Sequence, residues 1–248
     1  MYAYLINFQY FKIRFDTREP NYEAVEIQKY DWDNTAYGNG EEDLPLNAPK
    51  PKGKRVVLTH YFDANLMHDI LSGKSVTGVF HMANMTPIMW YSKKAATTET
   101  ATYGAEFLAA RTCMEHIVDL RNSFRYLGVP VFDTSYVWGD NESQVKSSTI
   151  PYAKLNKRHN ILSYHYVRQM IAKGFINMQH IRSEWNLADT LSKHWSHQSN
   201  YKKLIKPLLN YHDYENMIDQ EELPESMEWI GSSNQTYQKD SFIDICTE

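Results

Sequence analysis

The pattern of apolar and polar positions changes character at residue 55. From Arg55 to Asp63 the chain alternates, and Val57, Thr59, Tyr61 and Asp63 share one face by the two-residue period of a strand. Val76 to Met82 and Pro87 to Tyr91 are two further apolar runs, and the short Ala83-Asn84-Met85 connection predicts a hairpin. The period then lengthens. Glu106, Ala110, Cys113, Ile117, Leu120 and Phe124 recur three or four residues apart, forming one stripe of a helix from Thr102 to Leu127 that Gly128 and Pro130 end. Tyr136 to Gly139 reads as a strand running into Asp140, Asn160 to Lys173 as a helix, and Phe175 to Ile181 as a fifth strand. Asn186 to His194 and Tyr201 to Leu209 read as short helices. The order β-β-β-α-β-α-β-α predicts an α/β fold, a mixed sheet with helices packed on it.

The flanks differ from this core. Residues 1–50 mix short extended patches with Asp, Asn, Gly and Pro, and are expected to form a connection and linker with little packed structure. Residues 211–248 are acidic and aperiodic, and are expected to be a disordered tail. That leaves a domain over residues 51–210. Charge follows the same division: 51–208 holds 20 bases and 11 acids, net +9, within a chain of net −4. A basic middle favours a polyanionic partner. Two cysteines, Cys113 and Cys246, give no disulfide framework and suit a reducing intracellular setting. No apolar run is long enough to span a membrane and no signal peptide is recognisable, so neither secretion nor a membrane partner is expected.

Four acids then carry the candidate chemistry. Asp63 ends the alternating run, where an aspartate is commonly a turn former. Asp140 follows a strand and could cap a helix. Asp189 stands three residues after Asn186, an ordinary capping arrangement. Glu106 is different: it shares its helix stripe with Ala110, Cys113 and Ile117, not with the polar face of Arg111 and Glu115. A carboxylate facing a sheet needs a partner, and a cation is the natural one. Taken jointly, four acids on elements able to meet at one sheet edge suit hard divalent cations, which prefer carboxylate oxygen and water. There is no Cys/His cluster with zinc spacing.

These segments resemble the ribonuclease H domain of copia-type (Pseudoviridae) LTR retrotransposon polyproteins. The matching stretches are Tyr-Phe-Asp-Ala-Asn at 61–65, Gly-Lys-Ser-Val-Thr-Gly at 73–78 and Pro-Ile-Met-Trp-Tyr-Ser-Lys-Lys at 87–94. Further on come Glu-Thr-Ala-Thr-Tyr-Gly-Ala-Glu-Phe at 99–107, Gly-Asp-Asn-Glu-Ser at 139–143, Leu-Asn-Lys-Arg-His-Asn at 155–160 and Asn-Leu-Ala-Asp-Thr-Leu-Ser-Lys-His-Trp at 186–195. The resemblance implies a ribonuclease H-like fold with a five-stranded mixed sheet, three antiparallel strands followed by parallel additions. It implies an endonuclease cutting the RNA strand of RNA–DNA hybrids during reverse transcription. Asp63, Glu106, Asp140 and Asp189 would then be the catalytic ligands of two Mg²⁺ ions, for which Mn²⁺ could substitute. The reverse transcriptase portion of the parent polyprotein becomes an expected partner, and a cytoplasmic particle or the nucleus the expected location. The Tyr-x-Asp-Asp type motif of the polymerase is absent, so the chain reads as a C-terminal fragment of such a polyprotein or a truncated copy.

Secondary candidates for the nucleic acid are Asn65 and Asn141, for 2′-hydroxyls, and Lys93, Lys94, Lys157, Arg158 and His159, for phosphates. His180, at the exit of the last strand, is a candidate for assisting product release. Trp90, Tyr91 and Trp138 are expected in the core. The alternative is a domesticated or truncated copy that binds nucleic acid with weak or no catalysis; the intact four-acid set favours the enzyme. An integrase or resolvase of the same fold fits the Asn-Leu-Ala-Asp segment less well.

Overall fold

β-Branched and aromatic residues in the alternating runs build a five-stranded sheet in the order β4-β3-β2-β5-β6. The computed structural model describes residues 12–13, 15–22, 30–38, 40–155, 160–193 and 209–210. The elements are β1 (Lys12–Ile13), β2 (Leu58–Asp69), β3 (Lys74–Ala83), β4 (Thr86–Lys94), α1 (Thr102–Tyr126), β5 (Ser135–Gly139), α2 (Glu142–Thr149), α3 (Ile161–Ala172), β6 (Ile176–His180), α4 (Asp189–Ser192) and β7 (Leu209–Asn210). β2, β3 and β4 are mutually antiparallel, whereas β5 joins β2 and β6 joins β5 in parallel. This is the mixed sheet that the ribonuclease H resemblance implied. β1 and β7 form a separate antiparallel pair.

The two faces of β2 do different work. Phe62 and Ala64 join Val79, Val137 and the α1 residues Ala110, Cys113, Met114 and Ile117 in the core. Asp63 points to the other face, beside its register partner Gly78. A Cβ on Gly78 would stand 2.6 Å from the carbonyl of Ala188, so glycine lets the segment leading into α4 lie directly on the sheet.

Several elements differ from the sequence expectation. β2 continues six residues past Asp63, so that aspartate sits within a strand and not at a turn. The Ala83-Asn84-Met85 turn holds because Asn84 adopts φ +52° and its side chain accepts from Val57 N and donates to Thr17 O. α2 is absent from the predicted element order because its sequence ESQVKSST has no apolar period; the helix start considered at Asp140 falls one residue later, at Asn141, whose side chain accepts from Gln144 N at 3.0 Å. Trp138 is core, but Trp90, on the edge strand β4, is 53% exposed. Leu209, expected to end a helix, lies in β7; residues 201–208, the acidic tail and Lys157, Arg158 and His159 lie outside the described residues.

The segment before residue 50, expected to carry little packed structure, makes specific contacts. Trp32 is buried, and the guanidinium of Arg168 lies 4.8 Å from its ring and 4.9 Å from that of Tyr164. Arg168 also donates to the carbonyls of Ser147, Ile150 and Pro151, which terminate α2. Glu42 binds Arg121 and Arg125 together, through four hydrogen bonds of 2.6–2.8 Å.

A chain of histidines crosses from the sheet to α1. His60 Nδ1 and His81 Nδ1 are 2.7 Å apart, and His81 Nε2 is 3.2 Å from His116 Nδ1. Burial lowers the pKa of His81 to about 3, and burial with the nearby His81, Arg121 and His116 charges holds His60 well below the usual range. Both folded values lie below an unfolded value near ~6.5, so the unfolded chain takes up more protons in acid. Their stabilising contribution is complete above that pH and lost as pH falls through it. Denaturant melts at pH 7 and pH 5 are expected to differ by about 2 kcal/mol per buried histidine. A His60→Leu/His81→Leu double variant, which retains every carboxylate, is expected to lose most of that difference.

Candidate active site

Strand register brings the first two acids together. Phe62 pairs with Gly139 across the parallel β2–β5 ladder, so Asp63, within β2, and Asp140, just past the end of β5, stand side by side. Gly139 accommodates this closeness, since a Cβ there would meet the ring of Phe62 at 2.3 Å. α1 crosses the sheet and delivers Glu106 from its second turn to the same point. One carboxylate oxygen from each of Asp63, Glu106 and Asp140 lies within 4.8 Å of the others. Asp63 and Glu106 are only 2% and 3% exposed, which places two of the three charges out of reach of bulk water.

The electrostatics follow from this crowding. Burial, then the charges of Asp63 and Asp140, push the pKa of Glu106 well above the ordinary carboxylate range. Burial also raises Asp63, opposed by Lys193 and reinforced by Asp140. Oε2 of Glu106 is buried with no hydrogen-bond partner among the described residues. An orphaned carboxylate oxygen inside a cluster of like charges fits a bound cation. The all-oxygen donor set fits a hard divalent ion such as Mg²⁺ or Mn²⁺.

Asp189 lies outside this cluster of three. Asn186, expected to cap its helix, instead donates to Phe62 O at 2.9 Å and accepts from Ala188 N at 3.1 Å, tying the turn before α4 to the central strand. Ala188 is the residue at the helix start. Asp189 then reaches Asp63 indirectly: Lys193 pairs with Asp189 Oδ1, and its Nζ is 3.8 Å from Asp63 Oδ2. Ser192 Oγ donates to Asp63 Oδ2. Ser192 and Lys193 were not singled out from the sequence; their signal was the spacing of three and four residues from Asp189, which returns a side chain to the same helix face.

The secondary candidates divide around this point. His180 pairs in register with Gly139 and its Nε2 donates to the carbonyl of Asp140 at 3.1 Å, so it borders the cluster. Asn65 lies on the Asp63 face of β2 with its amide 2.9 Å from His68 Nδ1. Asn141 has its side-chain oxygen engaged in capping α2. Lys93 is exposed, and Lys94 is held by Asp69 at 2.5 Å.

No family model matches the chain. A retrovirus-related Pol polyprotein from transposon RE2 of Arabidopsis thaliana is 25% identical over 142 residues, and one from transposon TNT 1-94 of Nicotiana tabacum is 28% identical over 142 residues. Its homologues are retrovirus-related Pol polyproteins of plant transposons. The match takes in 57% of this chain but 10% of each polyprotein. Among solved structures, an N-terminal RNase H domain from Mycobacterium tuberculosis, fused to maltose-binding protein, is 14% identical. It aligns with 55% of this chain and 91% of its own at a TM-score of 0.44. Among the described residues no helix is long and apolar enough to cross a membrane.

Proposed function

We propose that this chain is a metal-dependent ribonuclease H that cuts the RNA strand of RNA–DNA hybrids during retrotransposon reverse transcription. The observation that carries the proposal is the convergence of Asp63, Glu106 and Asp140 within 4.8 Å, with a buried Glu106 oxygen that has no hydrogen-bond partner among the described residues. Those three residues, with Asp189 completing the set, would hold two Mg²⁺ ions. When bound, such ions activate a water for attack on the phosphodiester and stabilise the 3′ leaving oxygen.

The protein's part is placement. Asp63 stands on the central strand, Asp140 at the end of its parallel neighbour and Glu106 on the helix packed across both, so three rigid elements fix the carboxylates. Ser192 orients Asp63 by donating to Oδ2. Asn186 holds α4 against β2 and so keeps Asp189 within reach. Asn65 and Asn141 lie beside the acids, where they would meet 2′-hydroxyls; Lys93 and Lys94 would hold the hybrid backbone. His180, on the Asp140 carbonyl, would assist product release. The reverse transcriptase part of the parent polyprotein would deliver the hybrid.

The test is substrate and metal dependence together. The chain is expected to cut the RNA strand of a labelled hybrid with Mg²⁺ or Mn²⁺, to stop when EDTA is added, and to leave a DNA duplex of the same sequence intact. Cleavage that survives EDTA, or that prefers the DNA duplex, would refute the proposal.

A further inference from the structure

Lys193 occupies an unusual place. Its ammonium group pairs with Asp189 and lies 3.8 Å from Asp63, so one flexible arm spans two of the four acids assigned to the metal site. The side chain is 38% exposed, whereas Asp63 is 2% exposed, so the cation comes in from the solvent side and its tail is not locked in the core. Beside it opens a cleft of about 440 Å³ between β4 and α4, lined by His68, Ser92, Lys94 and Thr190 among others. The lysine therefore has somewhere to go.

We infer that Lys193 is a resident cation: it stands between Asp63 and Asp189 in the metal-free protein and is exchanged for the incoming divalent ion, so that it sets how much metal the site requires. The inference rests on the metal-binding reading of the acid cluster given above. Its physical basis is competition. An ammonium and a divalent ion seek the same carboxylate oxygens, and occupation by one must be given up for the other. A lysine on a four-carbon stem is a mobile point charge, suited to leaving. A partly exposed pair of this kind is weak, so exchange is cheap but not free. Without the lysine, the divalent ion would meet no competing ammonium at Asp63 and Asp189, and metal would bind them more readily. Lys193 is thus a positioning residue; it holds Asp189 and stands beside Asp63 until the ion arrives.

The test is Mn²⁺ binding by the full chain, followed by calorimetry and by the loss of free-ion electron paramagnetic resonance signal, with no nucleic acid present. Lys193→Met is expected to bind Mn²⁺ about fivefold more tightly than the parent, the scale of a partly exposed ion pair. Lys193→Arg, which keeps the charge, is expected to stay close to the parent. A thermal melt of each variant without metal confirms that it is folded, and Lys193→Gln replaces Lys193→Met if that variant is not. If the parent binds Mn²⁺ and the neutral variant binds it no more tightly, or less tightly, the inference about Lys193 is overturned and the nuclease proposal stands. If the parent binds no Mn²⁺ at millimolar concentration, both fall.

Discussion

Glu106→Gln is expected to abolish cleavage and, without metal, to make the fold more stable. The two effects have one cause. Glu106 is 3% exposed, Asp63 and Asp140 press like charge on it, and its Oε2 has no partner among the described residues. A neutral amide of the same shape removes the repulsion and the ligand together. Because even outer-shell partners of a metal site typically cost roughly 10–100-fold, loss of a direct ligand is expected to exceed ~100-fold in rate. The stability gain is expected to be about 1–3 kcal/mol, the scale of burying a group that lacks its partners, here a charge that the amide does not carry. The pH dependence has a definite sign. The folded pKa of Glu106 is raised, so its penalty is absent below the unfolded value near ~4.3, where both states are protonated, and grows as pH rises toward the folded value. The variant's advantage should therefore appear above that pH and be largest at neutral pH. Added Mn²⁺ should narrow it, since the parent alone gains binding free energy. Equal melts for parent and variant from pH 4 to pH 8 would mean that Glu106 carries no such penalty.

Glu42→Ala is expected to be among the most destabilising single changes in the chain. Arg121 is 1% exposed in the side chain, Arg125 12%, and Glu42 joins them. Burial pushes the pKa of Glu42 up, but the hydrogen bonds from Arg125 and Arg121 outweigh it and hold the group below the ordinary value. Removing the carboxylate leaves a buried guanidinium with the Asp133 carbonyl and the Ser135 hydroxyl as its remaining acceptors. Breaking a buried pair from one side costs about 3–5 kcal/mol, which for a domain of this size is about 10 °C in melting temperature. Glu42→Gln, which can still accept one hydrogen bond from each arginine, should lose less. A melt of Glu42→Ala within about 2 °C of the parent, a change of roughly 1 kcal/mol or less, would show that the segment before residue 50 contributes little to the fold.

That second result bears on what the amino-acid pattern reveals. The sheet strands and α1 were legible because their apolar positions repeat at two or three-to-four residues over a long window. α2 was not, because its signal is one capping asparagine and its helix side chains are mainly polar. The contacts of Trp32 and Glu42 are not legible in the sequence for a related reason. The segment's Gly, Asn and Pro content describes an irregular backbone, and an irregular backbone can still place one tryptophan against Arg168 and one glutamate against Arg121. Of the candidate site, Glu106 was legible from the helix stripe and Asp140 from the end of a strand, whereas Asp63 was picked out as a strand end and in fact lies inside β2. The link from Asp189 to Asp63 was not, since it runs through Lys193 and depends on Asn186 fastening the turn to Phe62 O. The histidine chain was invisible for the same reason: His60, His81 and His116 lie on three separate elements, and only strand register and helix packing bring them into line.

Asp63, Glu106 and Asp140 together are proposed to form a hydrolytic site. Its most direct measurement is cleavage of a labelled RNA–DNA hybrid in Mg²⁺ by the parent chain beside Asp140→Asn. Asp140 is the least buried of the three acids, so this variant is the one expected to fold like the parent. The expected result is RNA-strand cleavage by the parent and none by the variant, with hybrid binding retained by both. Equal cleavage by the two proteins would contradict the assignment of the site; binding without cleavage by the parent would instead make the chain a nucleic-acid-binding module.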